Sequence, residues 1–192
     1  PLREGDIMEW AEVLYLALAA FFAGVLNSVA GGGTFFAFPA LIFAGVPPIA
    51  ANATSTIAVW PGALASAIAY RKELKQYGQK LPLLVAISFV GGMIGAVILL
   101  QTPSATFEFL IPWLLLVATI LFAFGKNISS FLRRKFSLLA TEKGRFAIFV
   151  SLLLQFIIAI YGGYFGAGIG ILMLAMLALM GMQRIHEMNA LK

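Results

Sequence analysis

The 192-residue chain is 61% apolar and only 11% charged, against roughly 45–50% and 25% in ordinary soluble domains. Those proportions exclude a water-soluble globule and, more firmly, intrinsic disorder. The absence of cysteine excludes a disulfide framework, thiolate catalysis, Fe–S ligation and Cys-based zinc sites. The net charge of +5 acquires a meaning only once its 13 Lys and Arg are located along the chain.

At the N-terminus, Glu4, Asp6, Glu9 and Glu12 precede the first apolar run. A signal peptide carries positive charge there, which argues against reading this segment as one. Residues 13–70 then form 58 positions without a charge. As one straight helix they would extend about 87 Å, against a bilayer core of about 30 Å. The run therefore doubles back, and its breakers are Ala30-Gly31-Gly32-Gly33, Pro39 and Gly45-Val46-Pro47-Pro48. The last reads as an ordinary turn outside the membrane. The first is different, because apolar sequence continues on both sides and 34–44 is too short for a span. The pattern predicts a helix to about Ser28, an unwound glycine turn, and a half-helix restarting near Thr34.

The segment 71–80 carries Arg71, Lys72, Lys75 and Lys80, and 126–145 carries Lys126, Arg133, Arg134, Lys135, Lys143 and Arg145. Between them lie spans predicted at 82–101 and 107–125, joined by QTPSAT at 101–106, which has no Lys or Arg. Two spans place both basic loops on one side, and positive charge marks that side as cytoplasmic. The N-terminus then lies outside. An alternative for KNISSFLRRKFSLL at 126–139 is an interfacial helix against anionic headgroups.

Residues 146–183 are again uncharged, over 38 positions. Their breaker is the run from Gly162 to Gly170, GGYFGAGIG, followed by a short apolar piece at 171–180, Gly181, and later Asn189-Ala190. Residues 13–53 have the same plan: apolar helix, glycine cluster, short half-helix, Gly45, then Asn52-Ala53. The offset is 136 at Gly45 and Gly181 and 137 at the two Asn-Ala pairs, which is an internal repeat. The predicted orientation makes it an inverted one. The expected fold is an all-α polytopic membrane protein with inverted structural repeats, helices broken at Gly-rich turns, and a truncated second repeat. The divisions are 10–125 for the first repeat, 126–145 for the basic loop and 146–192 for the start of the second. By the length of the first copy, roughly 60–70 further residues are expected to complete the second.

Inverted repeats with broken helices point to a secondary transporter whose site lies near the midplane. A half-helix start offers unpaired N–H groups and a positive dipole end, which suit an anion. The candidate binding residues are Asn27, Ser28, Gly31, Gly32, Gly33, Thr34 and Pro39 at the first break. Asn52, Thr54 and Ser55 open the next helix, while Gly166, Gly168, Gly170 and Asn189 belong to the second copy. Against a site, Gly91-x3-Gly95, Gly162-x3-Gly166 and Gly166-x3-Gly170 also have the spacing of close helix packing. His186 and Glu187 are expected at a solvated turn. No phosphate-binding glycine loop and no nucleophile–base or paired-carboxylate set in a span is present, so neither an enzyme, a metal site nor a cofactor is expected. No Asp, Glu, Lys or Arg lies deep in a predicted span, so no carboxylate proton relay is visible.

Residues 21–55, FFAGVLNSVAGGGTFFAFPALIFAGVPPIAANATS, resemble the first-repeat signature of the sulfite exporter TauE/SafE family, also called toluene sulfonate uptake permeases. The elements that carry the likeness are Gly24, Gly31 to Gly33, Pro39, Gly45-x-Pro47-Pro48, Ala51 and Ala53-Thr54-Ser55. GGYFGAGIG at 162–170 is similar to the second-repeat element, although that copy has no counterpart of Pro39. The resemblance implies a multi-pass carrier in the bacterial plasma membrane, moving sulfite, sulfonates or other small organic anions by alternating access. The expected partners are a small anionic substrate and the lipid bilayer, with a homo-oligomer left open and no nucleic acid. A non-transporting membrane subunit or assembly factor is the alternative.

Overall fold

The computed structural model describes residues 10–75, 78, 80–137, 145–179, 182 and 184–192. Among these residues the chain is all helical, with no strand. In order the elements are α1 (Trp10–Ala30), α2 (Thr34–Phe43), α3 (Pro48–Ala69), α4 (Arg71–Lys75) and α5 (Lys80–Gln101). They continue with α6 (Ser104–Ser137), α7 (Arg145–Tyr164), α8 (Ile169–Leu179) and α9 (Ile185–Leu191).

The helix ends follow from local sequence. Gly31 adopts φ +74° and donates its N–H to Asn27 O at 3.1 Å, closing α1 with a left-handed residue that only glycine enters without strain. At the end of α2, Gly45 (φ +79°) bonds Ile42 O and Val46 bonds Leu41 O, both at 3.0 Å. This double closure satisfies the last carbonyls of the helix. Pro48 then opens α3 at its first position, where a missing N–H costs nothing.

Two helices, Trp10–Ser28 and Leu81–Gln101, are by themselves long and apolar enough to cross a membrane. Thr34–Phe43, Ser104–Ile120 and Phe149–Tyr164 are shorter apolar helices. The outer surface carries large apolar side chains in number, among them Phe43, Trp60, Phe89, Leu100 and Phe109. Water would not tolerate so extended an apolar surface, and lipid favours it.

The basic stretch differs from its expectation as a loop over 126–145. α6 runs without a break to Ser137. The physical reason is that 126–137 contains no Gly or Pro and repeats apolar residues at Ile128, Phe131, Leu132 and Phe136, a helical spacing. Residues 138–144, and the second-copy turn at Gly181, lie outside the described residues. The segment 71–80, also expected as a loop, begins with the short helix α4.

α5 packs along α7, α6 against α8, and α1 against α2 and α3. A buried cluster of Phe38, Ala51, Leu99, Phe107, Ala118, Phe165 and Ala167 forms the centre. Phe165 stands edge-on to Phe38 with ring centroids 5.3 Å apart, a favoured aromatic geometry. The turn between α7 and α8 is thus held in the core rather than on the surface.

Candidate functional site

The first glycine turn is buried. A Cβ on Gly33 would come within 2.5 Å of Ala23 O, 2.8 Å of Asn27 Cβ and 3.0 Å of Val59 Cγ1. Its role is therefore close approach of α1 and α3. No side chain caps the N-terminus of α2; the amides of Phe35 and Phe36 bond the carbonyls of Gly32 and Gly33, both at 3.1 Å. Thr34, its first residue, is buried.

In the second turn, Gly166 (φ +77°) and Gly168 (φ +75°) are both left-handed. The two turns meet. A Cβ on Gly31 would come 2.5 Å from Gly170 Cα, so any side chain there would push the backbones apart. The turns also correspond along the chain: Ala30-Gly31-Gly32-Gly33 and Ala167-Gly168-Ile169-Gly170 are 137 positions apart. That is the offset of Asn52 and Asn189. Left-handed Gly31 and left-handed Gly168 are likewise 137 positions apart.

Asn52, in the first turns of α3, is buried to 2% exposure and donates Nδ2–H to Tyr164 O at 3.0 Å. Ser55 Oγ and Thr56 Oγ1 each donate to Asn52 O at 2.9 Å, and the Thr56 oxygen is 3.7 Å from where a Gly166 Cβ would lie. All three side-chain donors thus already point at backbone carbonyls. Asn52 Oδ1 is buried with no partner.

Lys192 faces the other turn. Its Nζ donates to Asn189 Oδ1 at 3.3 Å and approaches Asn27 O at 3.5 Å. Asn27 and Asn189 are thereby brought together, through a cation that sequence reasoning did not count. The available signal was its position: Lys192 lies three residues after Asn189, on the same face of a helix, and 137 after Ser55.

Lys192 also lines a cavity of about 390 Å³ between α5, α7, α8 and α9, together with Leu84, Ser88, Gln155, Met176 and Leu177. Gln155, 2% exposed, donates Nε2–H to Ser88 Oγ at 2.6 Å, and its Oε1 has no partner. Neither residue was singled out from sequence, although Gln155 is a lone amide within an otherwise apolar stretch of α7.

Other candidates stand apart. Ser28 is exposed and donates its hydroxyl to Val25 O at 2.7 Å. Thr54 is exposed on α3. Pro39 lines a shallow outer groove with Phe22, Phe35, Phe36 and Phe43. Gly91, Gly95 and Gly163 form the α5–α7 seam, where a Cβ on Gly95 would strike Ile160 O and one on Gly163 would strike Gly92 O. His186 is exposed, with its ring 6.2 Å from that of Tyr70. Glu187 pairs with Arg184 at 3.0 Å.

Residues 16–192 match the family described as sulfite exporter TauE/SafE. A probable membrane transporter protein, ORF9, from a Sinorhizobium species is 29% identical over 158 residues, covering 81% of this chain and 57% of the relative. A probable membrane transporter protein of Haemophilus influenzae is 28% identical over 167 residues, covering 86% and 62% respectively. The probable membrane transporter protein YfcA of Escherichia coli K12 is 28% identical over 157 residues, covering 81% and 55%. The matches thus span a little over half the length of these relatives. No solved structure matches the chain. With the family match extending over nearly all of its length, the chain belongs to the sulfite exporter TauE/SafE family.

Proposed function

We propose that this chain forms part of a bacterial plasma-membrane carrier that moves a small anion by alternating access. The observation that carries the reading is the approach of Gly31 to Gly170, which brings the starts of α2 and α8 together. Two helix N-termini concentrate amide N–H groups and positive dipole ends at one place, which favours an anion. The Lys192 ammonium beside the first turn adds a full positive charge and has no ion-pair partner among the described residues. Family membership and the transporter names of the relatives agree with this reading.

The repeat is read as inverted, with α1–α2 and α7–α8 as corresponding broken helices. Support comes from reciprocal contacts. Asn52 of the first copy bonds the carbonyl of Tyr164, and Lys192 of the second reaches the carbonyl of Asn27; Tyr164 and Asn27 are themselves 137 positions apart. The donor differs, since Lys192 lies at the offset of Ser55 and not of Asn52, but in each case the start of the helix after one break reaches the carbonyl that ends the helix before the other. In this conformation the turns touch, so the reading requires them to separate when substrate enters, as one repeat rocks against the other.

Anion flux tests the function directly. Sulfite and small sulfonates, with other small organic anions, would be followed into and out of cells that carry or lack the full-length protein. Flux that depends on the protein supports a carrier; no flux of any anion across a broad panel would sink it.

A further inference from the structure

The side chains of Asn52, Ser55 and Thr56 form a cluster that can only accept. Asn52 Nδ2 is committed to Tyr164 O at 3.0 Å. That carbonyl has no proton to give, so the amide cannot be turned around without placing two acceptors face to face. Its Oδ1 is therefore a true orphan, buried and without a partner among the described residues. The hydroxyls of Ser55 and Thr56 have both given their protons to Asn52 O, leaving only lone pairs. Spaced i, i+3 and i+4, the three side chains share one face of α3; Asn52 stands against the end of α7 at Tyr164 and Thr56, at the exposed edge, beside Gly166. A helix C-terminus carries the negative end of the dipole.

We propose that this cluster binds a monovalent cation the size of sodium. An anion would be repelled by it. A buried water could donate to Asn52 Oδ1 and to a hydroxyl oxygen, but its own lone pairs would find a donor only if a hydroxyl turned away from Asn52 O, whereas a cation is served by lone pairs alone. A divalent ion calls for carboxylates, and no group of three or more His, Cys, Asp or Glu is assembled among the described residues. Neutral oxygens at a helix end suit a singly charged hard ion.

The second copy supplies an independent argument. Asn189 matches Asn52, Asn27 matches Tyr164 and Lys192 matches Ser55, all at an offset of 137. There the amide oxygen, Asn189 Oδ1, is not orphaned: it receives the Lys192 ammonium at 3.3 Å, which also reaches Asn27 O. One copy thus fills the position with a covalently attached cation. The other has the corresponding oxygens, with serine in place of lysine and an amide oxygen that no protein group meets among the described residues.

The site rests on hydrogen-bond geometry, whereas any part it plays in driving transport rests on the carrier reading. The test uses the purified full chain in detergent without substrate. Thermal unfolding is followed as NaCl replaces choline chloride at constant ionic strength, with a parallel series in KCl. The midpoint is expected to climb with Na+ in a saturable way, and not with K+. Thr56→Val keeps the side-chain shape and should raise half-saturating Na+ roughly tenfold or more, as for loss of a contact to a charged group. Asn52→Ala should abolish the response. A wild-type melt indifferent to Na+, one that rises equally with K+ or choline, or an unshifted Thr56→Val titration would overturn the site, even if Asn52→Ala fails to fold. Anion flux without a Na+ response would overturn this proposal and leave the carrier; a Na+ response without flux would do the reverse.

Discussion

Gly31 and Gly170 are in backbone contact, so close that a β-carbon on the first would lie 2.5 Å from the α-carbon of the second. Gly31 is also left-handed, with φ +74°, and two separate penalties therefore fall on one substitution. Three glycines resolve them. Gly24 is helical and open on all sides, so Gly24→Ala should be neutral or gain about 0.5–1 kcal/mol. Gly45 has positive φ but open space, so Gly45→Ala should cost about 1–2 kcal/mol from strain alone. Gly31→Ala should cost about 3 kcal/mol or more, because a backbone contact is added to the strain. Thermal melts of the four proteins in one detergent would check the order, and Gly31→Ala should also lose the most anion flux.

The α5–α7 seam offers a second contrast between neighbours. A Cβ on Gly95 would strike Ile160 O, while one on Gly92 meets nothing within 4 Å. Gly95→Ala is expected to force the helices apart at a cost of about 1–3 kcal/mol, typical of overpacking. Gly92→Ala should be neutral or slightly stabilising. Equal melting temperatures for the two variants would contradict the seam.

Gln155 and Ser88 join the same two helices through a polar pair, Nε2 to Oγ at 2.6 Å. Ser88→Ala leaves the buried amide wholly unpaired and should cost about 1–3 kcal/mol. Gln155→Met removes the orphaned oxygen together with the bond and should cost less, because nothing polar stays buried in its place. The double variant should be at least as stable as Ser88→Ala alone. A strictly additive double-mutant cycle would contradict the coupling.

Lys192 supplies the charge next to the first turn. Lys192→Met is expected to raise the half-saturating anion concentration about tenfold or more, as for loss of a charged contact. Lys192→Arg should retain most of the affinity, since it keeps the charge. Flux against anion concentration measures both. An unchanged half-saturation in Lys192→Met would remove the residue from the site.

Topology has its own test, helped by a chain without cysteine. Single cysteines at Lys72 and at Ser104, both exposed, are expected to react with a membrane-impermeant reagent from opposite faces, Lys72 from the cytoplasmic one. Labelling of both from one face would overturn the orientation read from loop charge.

Helix starts and stops were legible because glycine and proline act locally. Gly31 and Gly45 close their helices and Pro48 opens one through backbone preferences that the residue type alone carries. Likewise, long uncharged runs bounded by Lys and Arg speak for lipid through transfer energies summed along the chain. The end of α6 was misplaced at 125 because basic residues were read as a loop, whereas helix continuation depends on the absence of a breaker and on apolar spacing through Phe136. The Asn-Ala correspondence gave the expectation of a repeat, but not which groups meet.

What the sequence determined by itself was local and additive: a lipid-dwelling helical chain, its turns, and two glycine clusters. Only the tertiary structure decided what each glycine and each polar side chain is for. Gly33 and Gly95 are packing residues because another backbone lies against them. Asn52 commits its Nδ2–H to the carbonyl of Tyr164, 112 residues away, so that only its Oδ1 is left without a partner among the described residues. Lys192 approaches the carbonyl of Asn27, 165 residues before it in the chain. The reason is physical. Hydropathy and backbone preference belong to a residue and its neighbours, whereas the use of a donor, an acceptor or an open face depends on which distant group folding brings within about 3 Å.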